Sequence, residues 1–205
     1  MRRKAVIIGS GGHARVIASI LKAKLIPCLG CFDDSFTGEK EMIGAGAVLM
    51  GRLSDLKSYQ NQIDSAYLAV GDNAKRAALF KSLSAMHFRL PVLIHPKALI
   101  EKDARINDAS VVCIGAIVGT QATVGRGCII NSGCSLDHES RLGNFVHVAP
   151  RAAIAGRTIV GDNVFIGINA TIAGKLIIGK NAVVGAGAVV LKDVSNGKTV
   201  VGVYH

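Results

Sequence analysis

Two hydrophobic rhythms divide the chain. From Pro91 onward an aliphatic residue recurs at every sixth position, beginning Ile94, Ile100, Ile106 and continuing unbroken to Val190, seventeen in succession. If roughly a third of residues were of that type, such a run would arise by chance with odds on the order of 10⁻⁸. The residue two places earlier is usually small, as at Ala98, Ala104, Ser110, Ala116, Ala122, Cys128, Cys134, Ser140 and Ala152, and Gly, Asn or Asp often follows the aliphatic position. This pattern predicts a solenoid of short strands. The aliphatic side chains stack in a narrow interior, the small residues fill what room remains, and Gly, Asn and Asp are expected to take the unusual dihedrals of the turns.

The first ninety residues follow a different rhythm. "AVII" (5–8) reads as a short buried strand, "GSGGHA" (9–14) as a break, and "ARVIASILKAK" as a helix with apolar residues at Val16, Ile17, Ile20 and Leu21. A second strand, "IPCLGCF", runs into Asp33 and Asp34. A third, "SAYLAVG", spans residues 65–71 and is followed by a helix over about 73–87. Alternating strand and helix predicts a small parallel sheet with right-handed crossovers. Gly9, Gly11 and Ala14 fit the glycine fingerprint of nucleotide-binding turns, with Asp33 near the expected acidic position. The segment is short for a complete dinucleotide fold, so a mononucleotide-type ligand is the more economical reading. The domains are therefore 1–90, Rossmann-like, and 91–205, the repeat.

Composition sharpens this picture. Half the 205 residues are hydrophobic but only 4% are aromatic and none is Trp, so the core is aliphatic. The formal charge of +10 points to polyanionic partners. No basic run is longer than "RRK" (2–4) and no aromatic-interleaved basic motif appears, which favours phosphates on a small ligand over nucleic acid. Five cysteines without a disulfide-rich composition imply reduced thiols and a cytoplasmic setting. "CLGC" (28–31) has no partner motif that would complete a zinc site. "RRK" is followed by a short strand and glycines rather than a leader's apolar stretch, and no apolar run reaches the length of a membrane span.

The candidate chemistry lies in "SLDHESRLGNFVHVAP" (135–150). His138 belongs to neither the aliphatic nor the small row, so it should face outward or sit at a corner. Its flanking acids, Asp137 and Glu139, can fix its tautomer and raise its proton affinity, as a general base requires. His147 is nine residues on. That is half a coil if a coil holds three hexads, which places the two histidines on opposite sides of one prism. A three-fold trimer would bring them together at each subunit interface. Some β-helix proteins resembling the gamma-class carbonic anhydrases bind metal through three histidines, for which His95, His138 and His147 are the candidates here, but the close pair is nine residues apart rather than that family's roughly five, so no metal is expected.

The period-six lattice resembles the left-handed parallel β-helix, and the whole chain resembles the PglD/NeuD-type sugar acyltransferases. "GSGGHA", "FDD" and "AVGDNAKR" look like that family's nucleotide-sugar-binding half. "INSGCSLDHESRLGNFVHVAP" looks like its catalytic coil, and "FIGINATI" with "IIGKNAVVGAGAVVLKDV" like its acyl-CoA-binding coils. The resemblance implies an α/β N-terminal domain with a small Rossmann-like parallel sheet, then a left-handed parallel β-helix of hexapeptide repeats. It implies His138 as general base, Glu139 raising its basicity, and Asn131 shaping the site beside it. His147, Gly156, Ile168 and Ala186 would lie along acetyl-CoA. Gly11, Gly12, His13, Asp33, Asp34 and Gly71 would hold the nucleotide sugar. Ala186 stands where the family usually has Gly, and the chain ends "VVGVYH" rather than in the family's usual "GVPA" and basic tail.

The expected reaction is N-acetylation of a UDP- or dTDP-linked 4-amino sugar by acetyl-CoA, in a homotrimer, for surface polysaccharide or glycan synthesis. The sugar amine would attack the thioester directly, with no covalent enzyme intermediate. Two alternatives stay open: O-acetylation of a sialic acid-type sugar, and a non-catalytic nucleotide-binding module on a structural solenoid.

Overall fold

The computed structural model describes residues 4–205; Arg2 and Arg3 of the basic triplet lie outside them. Two compact units form, one ending at Pro96 and the other beginning at Lys97.

The first unit is built on β1 (Lys4–Ile8), flanked by β2 (Cys28–Phe32) and β5 (Ile63–Leu68). Between β2 and β5 the chain adds β3 (Glu41–Gly44), β4 (Ala47–Gly51) and a 3₁₀ helix (Leu53–Gln62). The sheet order is β3-β4-β2-β1-β5. Four strands are parallel, but β3 runs antiparallel to β4, so the sheet is mixed rather than wholly parallel. The reason is a tight hairpin whose two turn residues, Ala45 and Gly46, take φ values of 51° and 86°. "Ala-Gly" lacks the Asn or Asp that usually signals such a turn. The strand expected at 65–71 lies slightly earlier, as β5. α1 (Gly12–Ala23) buries Ala14, Ile17, Ala18, Ile20 and Leu21 against the sheet layer. α2 (Asn73–Ala85) begins at Asp72, whose side chain accepts a hydrogen bond from Lys75 N, and the helix stops just before His87 at φ 59°.

The second unit is a left-handed parallel β-helix. Each rung is two residues long and, as far as Val190, pairs with rungs eighteen residues away, whereas Thr199 and Val203 at the end pair with Val183 and Val189. Ser135–Leu136, for example, lies between Ile117–Val118 and Ala153–Ile154. Three such stacks form the faces of a prism. One carries Ile117, Ser135 and Ala153; a second Thr123, Arg141 and Ile159; a third Ile129, His147 and Phe165. From Val112 to Val190 every sixth-position aliphatic residue is buried. Cys128 and Cys134, in the small inward row, are fully enclosed.

The corners differ from expectation in one respect. Positive φ falls on the third residue after each aliphatic, from Ala109 through Gly115, Gln121 and on to Gly187, whatever the side chain. The glycines directly after the aliphatic position serve close packing instead. A Cβ on Gly143 would come within 2.8 Å of Asp162 N on the next coil, and one on Gly161 within 2.7 Å of Lys180 N. Stacked coils leave no room there for a side chain.

Candidate active site

His138 occupies the corner between the Ser135–Leu136 and Arg141–Leu142 rungs. Its own N–H donates to Asp137 Oδ1 at 2.7 Å, which braces the turn. Its Nδ1 lies 3.1 Å from Glu139 Oε2. A carboxylate can only accept, so this contact sets Nδ1 as the protonated nitrogen and leaves Nε2 as the acceptor. Glu139 is held in place by its backbone, with its N–H donating to Thr120 O at 2.8 Å on the coil below. Its carboxyl sits below the ordinary range, first because of the Arg157 hydrogen bond and then because of His138, with burial opposing weakly.

The imidazole lies against Gly156, one coil up. A Cβ there would collide with His138 Nε2, so the missing side chain makes room for the ring. Gly174 continues the column another coil, and a Cβ there would come 3.0 Å from Gly156 O. Beside the histidine a trough of about 280 Å³ runs up the outer face, lined by Gly119, Ser135, Asp137, Ala153, Ala155 and Thr171 among others.

His147 stands on the face opposite the His138 corner, as half-coil spacing demands. Its ring meets Phe165 edge-on, with centroids 5.2 Å apart and planes at 89°. Asn131 Nδ2 is 3.3 Å from His147 Nε2. Within one chain, Asn131 thus stands beside His147. Ile168 and Ala186 stack at a third location, the corner after the Phe165–Ile166 rung, where Gly187 N donates to Ile168 O at 2.8 Å. A single chain therefore groups Gly156 with His138, Asn131 with His147, and Ile168 with Ala186.

In the first unit a cavity of about 480 Å³ opens at the carboxyl ends of β1 and β2, lined by Gly9, Asp33, Asp34, Val70 and Lys75 among others. Ligands of open α/β sheets bind at this end of the strands. Asp33 ties its rim together, accepting from Ser10 N at 2.8 Å and from Ser35 N at 2.9 Å. Burial pushes its carboxyl up, but the Ser35 and Ser10 hydrogen bonds outweigh burial and hold it below the usual value. Asp34 Oδ1 accepts from Leu53 N at 3.1 Å.

Gly9 is required by its φ of 116° and by its approach to Ala69. Gly11 and Gly12 are not: a Cβ on either meets open space, so nothing in the chain's own packing demands glycine there. His13 is half-buried in the first turn of α1. The Gly71 carbonyl, like that of Val70, accepts from the buried Arg76 at 3.0 Å, fixing the segment after β5.

Sequence reasoning missed Arg157, whose Nε lies 2.8 Å from Glu139 Oε2. The two are eighteen residues apart, so the repeat period contained the signal. It also missed Lys75 and Arg76. Among the described residues no group of three His, Cys, Asp or Glu side chains is arranged to hold a metal ion.

Two family models match the chain: the PglD N-terminal domain over residues 4–83, and the bacterial transferase hexapeptide (six repeats) over residues 157–192. The acetyltransferase domain of PglB from Neisseria gonorrhoeae, solved with acetyl coenzyme A, is 33% identical with a TM-score of 0.91. That match covers 98% of this chain and 97% of the other. PerB from Caulobacter crescentus, solved with CoA and GDP-perosamine, is 30% identical with a TM-score of 0.91, covering 97% and 94%. The chain belongs to the PglD/NeuD-type sugar acyltransferases. WeeI from Acinetobacter baumannii, at 24% identity and a TM-score of 0.86 over 98% of this chain and 97% of the other, shares the fold. Membership of this family makes the chain an acyltransferase. No helix among the described residues is long and apolar enough to cross a membrane.

Proposed function

We propose that this acyltransferase moves the acetyl group of acetyl-CoA to the amino group of a nucleotide-linked 4-amino sugar, with His138 as general base. The observation that carries this reading is the His138–Glu139 pair. The carboxylate 3.1 Å from Nδ1 leaves Nε2 free to take a proton, on a column cleared of side chains by Gly156 and Gly174. The amine nitrogen attacks the thioester carbon while Nε2 accepts the amine's proton. The tetrahedral intermediate then collapses, and the CoA thiolate leaves and is protonated.

A covalent acyl-enzyme has little support. Burial pushes the Cys113 and Cys134 thiols up to about 12, and burial together with Cys28 and Asp33 does the same for Cys31. Direct transfer in a ternary complex is the simpler course.

In this reading Gly11, Gly12, His13, Asp33, Asp34 and Gly71 hold the nucleotide sugar, where the two glycines leave backbone open to a phosphate at the start of α1. His147, Gly156, Ile168 and Ala186 contact acetyl-CoA, and Asn131 steadies His147. These residues lie apart in one chain, so the working unit is a homotrimer with its sites at subunit interfaces. The enzyme acts in the cytoplasm, consistent with five cysteines that form no disulfide. Its product enters surface polysaccharide or glycan synthesis.

PerB was solved with a GDP-linked sugar, so GDP joins UDP and dTDP among the nucleotides to be tried. The test incubates the protein with acetyl-CoA and 4-amino sugars on all three nucleotides, then treats the product with hydroxylamine. An amide survives, whereas an ester is cleaved. A hydroxylamine-labile product would replace N-acetylation with O-acetylation, and absence of any acetylated product would favour a binding module.

A further inference from the structure

Arg157 is not explained by the fold. Its side chain is more than half exposed, it lies outside the aliphatic and small rows, and its corner position accepts many residue types. Yet its Nε donates to Glu139 Oε2 at 2.8 Å, the same oxygen that receives His138 Nδ1 at 3.1 Å. The backbone repeats the connection, since Arg157 N donates to His138 O at 2.9 Å. One carboxylate oxygen thus serves a histidine on its own turn and a guanidinium from the next coil.

We propose that Arg157 is a positioning residue that sets how much of Glu139's negative charge reaches His138. The guanidinium anchors the carboxylate at Nδ1 and draws off part of its charge. His138 therefore works with an oriented but damped partner. The other groups facing this corner are few. Asp137 and Glu139 share its turn, and Asp137 is engaged with the His138 N–H. The coil below contributes Thr120 and Gln121, which carry no charge, with Lys102 and Asp103 one coil further. The coils above contribute Gly156 and Arg157, then Gly174 and Lys175. Arg157 is the only one of these charged neighbours seen to share the His138–Glu139 contact.

The sign of the effect follows. Without Arg157, Glu139 presents its full charge to the ring, which favours the imidazolium. More of the histidine is then protonated at a given pH, and the acidic limb of the rate profile moves to higher pH. Both side chains are well exposed, so solvent screening keeps the displacement modest.

The inference rests on His138 being the base, and the test separates the two ideas. The His138 ring resonance is titrated by NMR in wild type, Arg157→Gln and Arg157→Lys, alongside pH profiles of kcat. All three proteins keep a Cβ at this left-handed corner, so the backbone is equally strained in each. The expected result is a titration displaced upward in Arg157→Gln and returned toward wild type in Arg157→Lys, with the acidic limb of kcat following. An unchanged ring titration in Arg157→Gln overturns the proposal, whatever the enzyme's rate. A variant whose only change is a raised KM for acetyl-CoA, with ring and limb unmoved, makes Arg157 a donor contact and also overturns it. If the ring titration moves but the rate profile does not, the positioning stands and the assignment of His138 as the base falls.

Discussion

His138 depends on what its two ring nitrogens meet: Glu139 on one side and the gap over Gly156 on the other. Each side gives a separate prediction. Replacing Glu139 with Gln keeps a hydrogen-bonding partner but removes the charge that stabilises the imidazolium, so kcat falls by about tenfold or more. Gly156→Ala drives the ring out of place, and kcat falls on the order of 10²-fold because the base is misaligned rather than lost. Circular dichroism should show both variants folded, since neither side chain supports the core. Asp33 gives a prediction about pH. Its folded-state carboxyl sits below the ordinary value, so its contribution to stability is fully present above the usual carboxylate range. That contribution is lost as pH falls through the depressed value. Asp33→Asn should therefore be less stable than wild type at neutral pH, by an amount that solvent screening keeps small, with the gap closing in acid. Denaturant melts at several pH values would show it.

At the scale of the element, the corner and the coil contact make different demands on glycine. Gly133 sits at a corner with φ 65°, where a Cβ would make only an ordinary van der Waals contact, 3.6 Å from Arg151 Cγ. Gly133→Ala should cost only about 1 kcal/mol, the ordinary cost of a left-handed residue. Gly143 has no unusual φ but presses on the next coil, so Gly143→Ala should cost more, about 1–3 kcal/mol, by forcing the coils apart. Leu136→Ala, which empties a fully buried site below the catalytic turn, should cost about 2–5 kcal/mol. The solenoid was legible in the sequence because one contact type, an inward aliphatic stacked on its counterpart, repeats at every sixth residue. Which glycines take the left-handed turn was misread, since the corner lies three residues after the aliphatic rather than directly after it and takes Ala, Gln, Arg or Phe as well as Gly. The β3–β4 hairpin was missed for a local reason: its turn is Ala45-Gly46, and an alanine at positive φ gives no signal.

For the whole molecule, the proposed site is a matter of assembly. His138 was identifiable because it breaks the repeat between two acids, and Arg157 was overlooked although it stands one period from Glu139. The grouping of Asn131 with His147, and of Ile168 with Ala186, depends on which face or corner each occupies, and the period encodes that as well. The opposite placement of His138 and His147 leads to a prediction about subunits. Mixing inactive His138→Ala and His147→Ala proteins under conditions that exchange subunits should restore part of the activity, because some interfaces then combine an intact His138 with an intact His147. Complete failure to complement would place both histidines in one chain's site, or His147 outside it.

The measurement that bears most directly on the central claim is release of CoA thiol, with acetyl-CoA and a nucleotide-linked 4-amino sugar supplied together, by wild type and by His138→Ala. Thiol release by wild type should depend on the amino sugar, and kcat should fall by about 10²–10⁴-fold in the variant. Equal rates in the two proteins would contradict that claim.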